Sequence, residues 1–553
     1  GQTPYQLRIR MARGQPLIDV RSDLQGMAVN LPEPLNKAAE QSWPTHFAST
    51  LSDASGSSTP LREQMDLDVA GRLQLRYVRE LGADAQTPSK VVSGAIRVGP
   101  GALALPAKGV VVEANLPRLD VQEWQKALQI LQSDAPAAAA SASAAAPAPA
   151  SPATAQPAAR SYAERANEYL PDHWDVRVDA LQVRGIDVQK LQLRGSRSGA
   201  RWSSQIQSSL MDGRLDYEQE SGGPGTIRAR LSQLRVGQEE GASNKAGSSN
   251  NDDSSNEEPR KLPALDIVVD DLRWHGHSAG RLELQAVNRS EGAQSWWHLR
   301  QMQLSNDAAS LQASGDWGAV RSASVGPNTF SGRRTQLDIR LDLKDTGQLL
   351  QQLGMPGVIH RGKGSLLGKL AWTGSPLNPD YHSMDGQLHI DVSQGQFLKV
   401  EPGIAKLFGV LNLQALPRRL TLDFKDIFSA GFGFDFVRGD VRIRDGLAST
   451  TNLQMKGVTA AVLLEGKADL RDETQNLHVV VIPELNTTTL SLVTTAINPV
   501  VGIGTFLAQA LFKGQITQAV TQEFEVTGSW SEPEVNKLAR RASTERNAAE
   551  PSH

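Results

Sequence analysis

The sequence predicts an all-β protein, a long curled antiparallel sheet forming an elongated apolar groove, with short helices and a helical C-terminal cap. Three observations carry this expectation. Apolar and polar residues alternate strictly through segment after segment, of which Leu337-Asp338-Ile339-Arg340-Leu341-Asp342-Leu343-Lys344 is the cleanest. Side chains of a strand point to opposite faces with period two, so such a segment has one greasy face and one wet face. The alternation recurs at Val176–Asp179, Leu191–Arg194, Leu388–Val392, Leu420–Phe424 and Val441–Arg444. Finally, Gly, Asn, Asp and Ser turn residues separate the runs at about 12–16 residue spacing, as in meandering antiparallel strands.

Taken in order, the chain opens with β-rich sequence over residues 1–134, including strands at Asp66–Val69 and Leu73–Arg76. A short helix closes this part. Asp120 is placed to cap it, Glu123 sits at the capping-box position, and Val121, Trp124, Leu128 and Leu131 form one apolar stripe. Such a stripe is read as packed core rather than a ligand site. Residues 135–159 are nearly all Ala, Pro, Ser and Thr, a solvated linker. Residues 160–237 begin with a helical stretch near Tyr162–Leu170 and return to strands. A polar loop at 238–260 has too little apolar surface to offset ordering entropy. Residues 261–484 are almost unbroken strand pattern, with small helices expected before Gly354 and around Gly403–Phe408. A helical cap or membrane-contact segment follows at 485–520, then a terminal strand at 521–535 and a disordered tail at 536–553.

Composition narrows the function classes. Lys and Arg total 57 against 60 Asp and Glu, so no global field recruits nucleic acid. No cysteine occurs, which excludes disulfides, thiol catalysis and thiolate metal sites. The apolar content is 39% but only 5% is aromatic, which suits a smooth aliphatic lining. The chain opens Gly1-Gln2-Thr3-Pro4 without a signal-like apolar run, and is read as a piece of a longer polypeptide with its export signal or anchor upstream.

The number of strand-like runs, about 25–30, exceeds the roughly ten that an open twisted sheet carries before it curls or splits. Paired in sequence, such a sheet extends on the order of 120–140 Å. Stacked sandwiches, a closed barrel and a folded trough all remain as solutions. A trough leaves its lining open to a long apolar ligand. An acyl chain of about 16 carbons gains on the order of 10 kcal/mol on burial there. Apolar contact is also non-directional, so a lipid can slide along it. The lining is assigned to Leu265, Ile267, Val269, Leu282, Leu284, Leu337, Ile339, Leu341, Leu343, Leu388, Ile390, Val392, Leu420, Leu422 and Phe424.

Several motifs then match a known family. They include Val400-Glu401-Pro402-Gly403-Ile404-Ala405-Lys406-Leu407-Phe408-Gly409, Leu416-Pro417-Arg418-Arg419-Leu420 and Asp423-Phe424-Lys425-Asp426-Ile427-Phe428. Further matches are Gly431, Phe434-Asp435, Gly439 and Arg444-Asp445-Gly446. The ending Ile497-Asn498-Pro499-Val500-Val501-Gly502-Ile503-Gly504-Thr505-Phe506-Leu507-Ala508 with Val526-Thr527-Gly528-Ser529-Trp530 fits too. So do Ser22–Gly26 and Leu31–Lys37 near the start. The chain resembles the C-terminal region of YhdP-type proteins of the AsmA-like family. That resemblance implies a bridge-like lipid transporter of the Gram-negative periplasm, anchored in the inner membrane by an N-terminal helix and passing phospholipid through a β-groove. It also implies that the C-terminal end faces the outer membrane.

No catalytic constellation or cofactor motif emerges, so no enzyme activity is expected. Gly357–Gly364 approaches a phosphate loop, but Gly364 stands where Ser or Thr binds magnesium, and a turn between strands is the better reading. Gly502-Ile503-Gly504 lacks a third glycine and a βαβ unit. His275 and His277 share a strand face without a third ligand. The uncharged run Leu485–Phe512 exceeds a membrane span in length, yet Pro499 breaks it. Ile503, Phe506, Leu507 and Leu511, with Phe512 beside them, then form an apolar helical face that either contacts a membrane or plugs the trough. Two other classes compete: an assembly module acting by β-augmentation, and a carbohydrate-active enzyme with paired carboxylates, which the lean aromatic content disfavours.

Overall fold

A computed structural model describes residues 1–12, 15–52, 61–82, 89–133, 168–183, 185–220, 223–237, 262–274, 276–291, 294–321, 330–376, 379–398, 432–457, 460–483, 521–530 and 532–538. The architecture is all-β. Among the described residues 25 strands are assigned to one sheet, and two more form a small ladder. The chain divides into two compact units: Gly1–Glu220 with Ile227–Leu234, and Ser221–Thr226 with Arg235–His553.

In the first unit the strands are β1 Tyr5–Ala12, β2 Gln15–Ser22, β3 Val29–Asn30, β4 Asn36–Lys37, β5 Thr45–Ser52, β6 Arg62–Val69 and β7 Leu73–Glu80. They continue with β8 Lys90–Val98, β9 Gly109–Asp120, β10 His173–Val183, β11 Ile186–Ser198, β12 Arg201–Gln207 and β13 Met211–Glu218. β2 pairs with β5 across the separate β3–β4 ladder, and the other pairings are antiparallel between sequence neighbours except at two places. β9 runs parallel to both β8 and β10. A parallel neighbour needs a crossover rather than a tight turn, and the helix α1 (Val121–Ser133) lies in the connection from β9 to β10. The Asp120 carboxylate accepts a hydrogen bond from the Glu123 amide at 3.0 Å, which is the expected cap. Trp124 on this helix donates from Nε1 to the Glu33 carbonyl at 3.1 Å.

The second unit holds β15 Ala264–Trp274, β16 His277–Glu291, β17 Gln294–Ser305, β18 Ala309–Arg321, β19 Phe330–Leu343, β20 Ile359–Thr373 and β21 Asp385–Phe397. β22 Phe432–Arg444, β23 Leu447–Gly457, β24 Ala460–Asp469, β25 Thr474–Pro483, β26 Gln522–Ser529 and β27 Pro533–Lys537 complete it. β14 (Thr226–Val236) has residues in both units. From β15 to β27 every pairing is antiparallel and sequential. A second helix, α2 (Thr346–Gln352), sits between β19 and β20 and ends before Gly354, whose φ of +83° suits a helix C-terminus.

One local expectation is corrected. Residues Ile359–Gly364 belong to β20 rather than to a turn. The strand pairs with β21 from Ile359↔Phe397 onwards and runs on to Thr373, so Gly364 does not open a helix that could present amides to a phosphate. The glycines that suggested a loop allow close strand approach instead. A Cβ on Gly364 meets the Asp391 carbonyl at 1.9 Å.

Candidate functional site

The alternation places one apolar set on a common face, and the strand register shows how far that face extends. One row runs across the strands through Val269, Leu282, Leu304, Leu311, Leu341, Leu366 and Ile390, each paired with the next. A second passes through Ile267, Leu284, Met302, Ala313, Ile339, Gly368, Leu388 and Val441. A third passes through Leu265, Ala286, Leu299, Gly315, Leu337, Leu370, Gly386 and Ile443. A shorter row joins Leu343, Gly364, Val392, Val437 and Met455. No charged residue stands in any of these rows. Eight strands at about 4.8 Å each make the face roughly 34 Å wide along the hydrogen-bonding direction.

Every lining residue assigned from sequence that falls among the described residues lies in these rows. Leu420, Leu422 and Phe424 lie outside the described residues, as do Ile503, Phe506, Leu507, Leu511 and Phe512, both linkers and the helix expected at Gly403–Phe408. The rows also hold Leu304, Leu311, Met302, Leu366, Leu370, Val441 and Ile443, which sequence reading did not assign to the apolar face. β-Bulges hid some of them. In β17 the register shifts between Leu299 and Met302, so Trp297 and Leu299 share a face with Met302 and Leu304 although the parity changes. Similar shifts occur in β15 after Val269 and in β22 after Phe434.

Glycines and tryptophans shape the face. A Cβ on Gly368 lies 2.3 Å from Leu388 Cδ2, and one on Gly386 lies 2.7 Å from Leu370 Cδ2, so neighbouring leucines lean over the glycines. At one side of the rows Trp297, Trp317, Ala286, Leu299 and Ala313 pack into a buried cluster against which Leu337 and Ile339 rest. Trp372, Met384 and Ile443 form a second cluster touching Leu337, Leu370 and Leu388. Apart from Leu299, which is buried, the row leucines are half-buried, which leaves apolar surface open on this face.

The opposite face is charged and internally paired. Lys369 and Asp338 face each other at 3.3 Å, Arg340 meets Asp342 at 2.9 Å, and Arg438 meets Asp391 at 2.9 Å. His389 bonds Asp440 at 2.8 Å, and Asn452 donates to the same carboxylate at 2.7 Å. The Arg340 hydrogen bond holds the Asp342 carboxyl below its usual range. Partial burial opposes the charge on Asp440, yet the His389 and Asn452 bonds still bring its carboxyl down. Arg334 does the same for Asp385 at 2.5 Å. These are structural pairs rather than reactive groups. Among the described residues no cluster of three or more His, Asp or Glu is set to hold a metal, and no helix is long and apolar enough to cross a membrane. His277 is exposed, while His275 lies outside the described residues.

The first unit repeats the design. Phe47, Leu67, Leu75, Ile96, Val112 and Trp174 pair in one row across β5 to β10. Val69, Leu73, Val98, Ala114, Val176, Leu193 and Ile206 form the next, across β6 to β12.

A curated relative, the intermembrane phospholipid transporter YhdP of Escherichia coli (strain K12), is 26% identical over 237 residues, covering 43% of this chain and 18% of that protein. The match thus spans under a fifth of the relative's length. No solved structure matches. The family model described as YhdP protein matches residues 1–535, nearly the whole chain, and the chain belongs to the YhdP family.

Proposed function

We propose that this chain moves phospholipid passively between the inner and outer membranes of a Gram-negative envelope, with acyl chains lying on the apolar strand face. The reading places it in the periplasm, anchored to the inner membrane elsewhere in the full-length protein, and involves no chemical step or cofactor. The observation that carries it is the run of apolar rows, unbroken by charge over eight strands. Curling of a twisted sheet turns such a face into a groove. The rows run from strand to strand, so a hydrocarbon chain laid along one meets a similar aliphatic surface at each step, without directional bonds to break. The relative's name supports phospholipid as the cargo. At the outer membrane, contact is assigned to Ile503, Phe506, Leu507, Leu511 and Phe512, whose apolar side chains suit the headgroup boundary.

The test is mass spectrometry of lipids that accompany the protein through detergent-free purification. Co-purified phospholipid is the expected result. Protein that carries none, and takes none up from vesicles, contradicts the reading.

A further inference from the structure

The helix α2 is inserted in the connection between β19 and β20, although the two strands pair directly and a short turn would connect them. It is held firmly. The Asp345 carboxylate accepts from the Gln348 amide at 2.9 Å, and Thr346 Oγ1 donates to the Gly362 carbonyl at 3.0 Å. Gly347 lies so close to β20 that a Cβ there meets the Ile359 carbonyl at 2.4 Å. At the other end Gln352 Oε1 accepts from Asn306 Nδ2 at 2.9 Å, and the same amide donates to the Ala279 carbonyl at 3.1 Å. Asn306 Oδ1 in turn accepts from the amides of Ala308 and Ala309. The helix is therefore fastened to β20 at its start and to the β17–β18 turn at its end.

Between these fastenings lies a cavity of about 720 Å³. Leu304, Leu311 and Leu341 line it, and these are three successive members of one apolar row. Leu349 and Leu353 of the α2 segment line it as well. Trp274, His277, Ser278, Asn306 and Gln352 supply the remaining larger side chains. No Asp, Glu, Lys or Arg is among the lining residues. Two large apolar side chains there face solvent, Trp274 at 53% and Leu353 at 55% exposure.

We propose that this recess is a side pocket that takes one acyl chain of a phospholipid from the adjoining apolar face. The inference rests on reading that face as lipid-binding. The volume falls within the roughly 300–1,000 Å³ typical of small-molecule sites. A phosphate taken into it finds no Lys or Arg, and a metal ion finds no carboxylate, so charged ligands carry a desolvation cost that little there recovers. Hydrocarbon fits the leucine floor, and the neutral amides and hydroxyl suit the ester end of the chain. A diacyl lipid then rests with one chain along the row and the other under α2, a site where cargo pauses rather than slides.

The experiment uses the full chain with a phosphatidylethanolamine carrying a diazirine on one acyl chain, followed by peptide mapping of the crosslinks. Labelling is expected both on the apolar side of β19 and on the α2 segment. Leu349→Trp, which fills the cavity, and Leu353→Asp, at an exposed position that tolerates charge without unfolding, should each abolish α2 labelling and leave the β19 label in place. Label on β19 but never on α2 overturns the side pocket while the wider reading stands. Label on α2 that neither variant removes also overturns it. Label on neither element means that the apolar face itself binds no lipid.

Discussion

At the residue scale, Ile339 and its neighbour Asp338 show how one position decides environment. Ile339 rests against the tryptophan cluster on the apolar face, whereas the Asp338 side chain is 61% exposed opposite Lys369. Ile339→Asp puts a charge where hydrocarbon is proposed to lie, which costs several kcal/mol unless the group protonates or reaches water. Lipid retained through purification should fall sharply, while Asp338→Asn should retain it at the native level. Gly368 offers a second test. Valine there collides with the end of Leu388 and with the Gln387 carbonyl 2.9 Å from its Cβ, so overpacking should cost roughly 1–3 kcal/mol and lower the Tm.

The paired carboxylates predict a pH response with a definite sign. Asp342, Asp385 and Asp440 ionise more readily folded than unfolded. Their pairs therefore contribute stability above the ordinary aspartate value of about 3.9 and lose it as the pH falls through the lowered folded values. Thermal melts should be nearly flat from these groups between pH 7 and 5, then decline below about pH 4. Asp342→Asn together with Asp385→Asn should shrink that decline. Because the pairs sit on the exposed face, their individual contributions are small.

At the element scale, regular strands were legible because a half-buried strand must alternate. Leu337–Leu343 sufficed to mark β19, although the strand begins earlier, at Phe330, and the two described α-helices follow from their caps, Asp120 and Gly354. Bulges were not legible. A single inserted residue in β17 changes which parity faces the core, and no local residue type announces it. The parallel pairing of β9 escaped as well, since alternation fixes a strand's faces but not its neighbour's direction. The cavity under α2 lay beyond sequence reasoning for a similar reason. Leu311 and Leu349 meet there only because the register brings β18 beside β19 and the helix then folds back.

At the scale of the whole molecule, the same apolar rows recur in each of the two units, so the proposed lining is a property of the chain's pattern rather than of one pocket. Docking is proposed to depend on the C-terminal apolar set. Phe506→Asp with Leu507→Asp should abolish flotation with liposomes and leave co-purified lipid in place. With Lys513 the nearest charge, salt should matter little to that binding. Unchanged flotation assigns the segment to covering an end of the proposed groove instead. The central claim is that one face of the sheet, and only that face, carries acyl chains. A photoreactive amino acid placed singly at each position from 336 to 343 tests it most directly, with crosslinking to phospholipid as the readout. The account predicts a period of two, with crosslinks at 337, 339, 341 and 343 and none at 336, 338, 340 and 342. Equal crosslinking from both sets, or from neither, contradicts it.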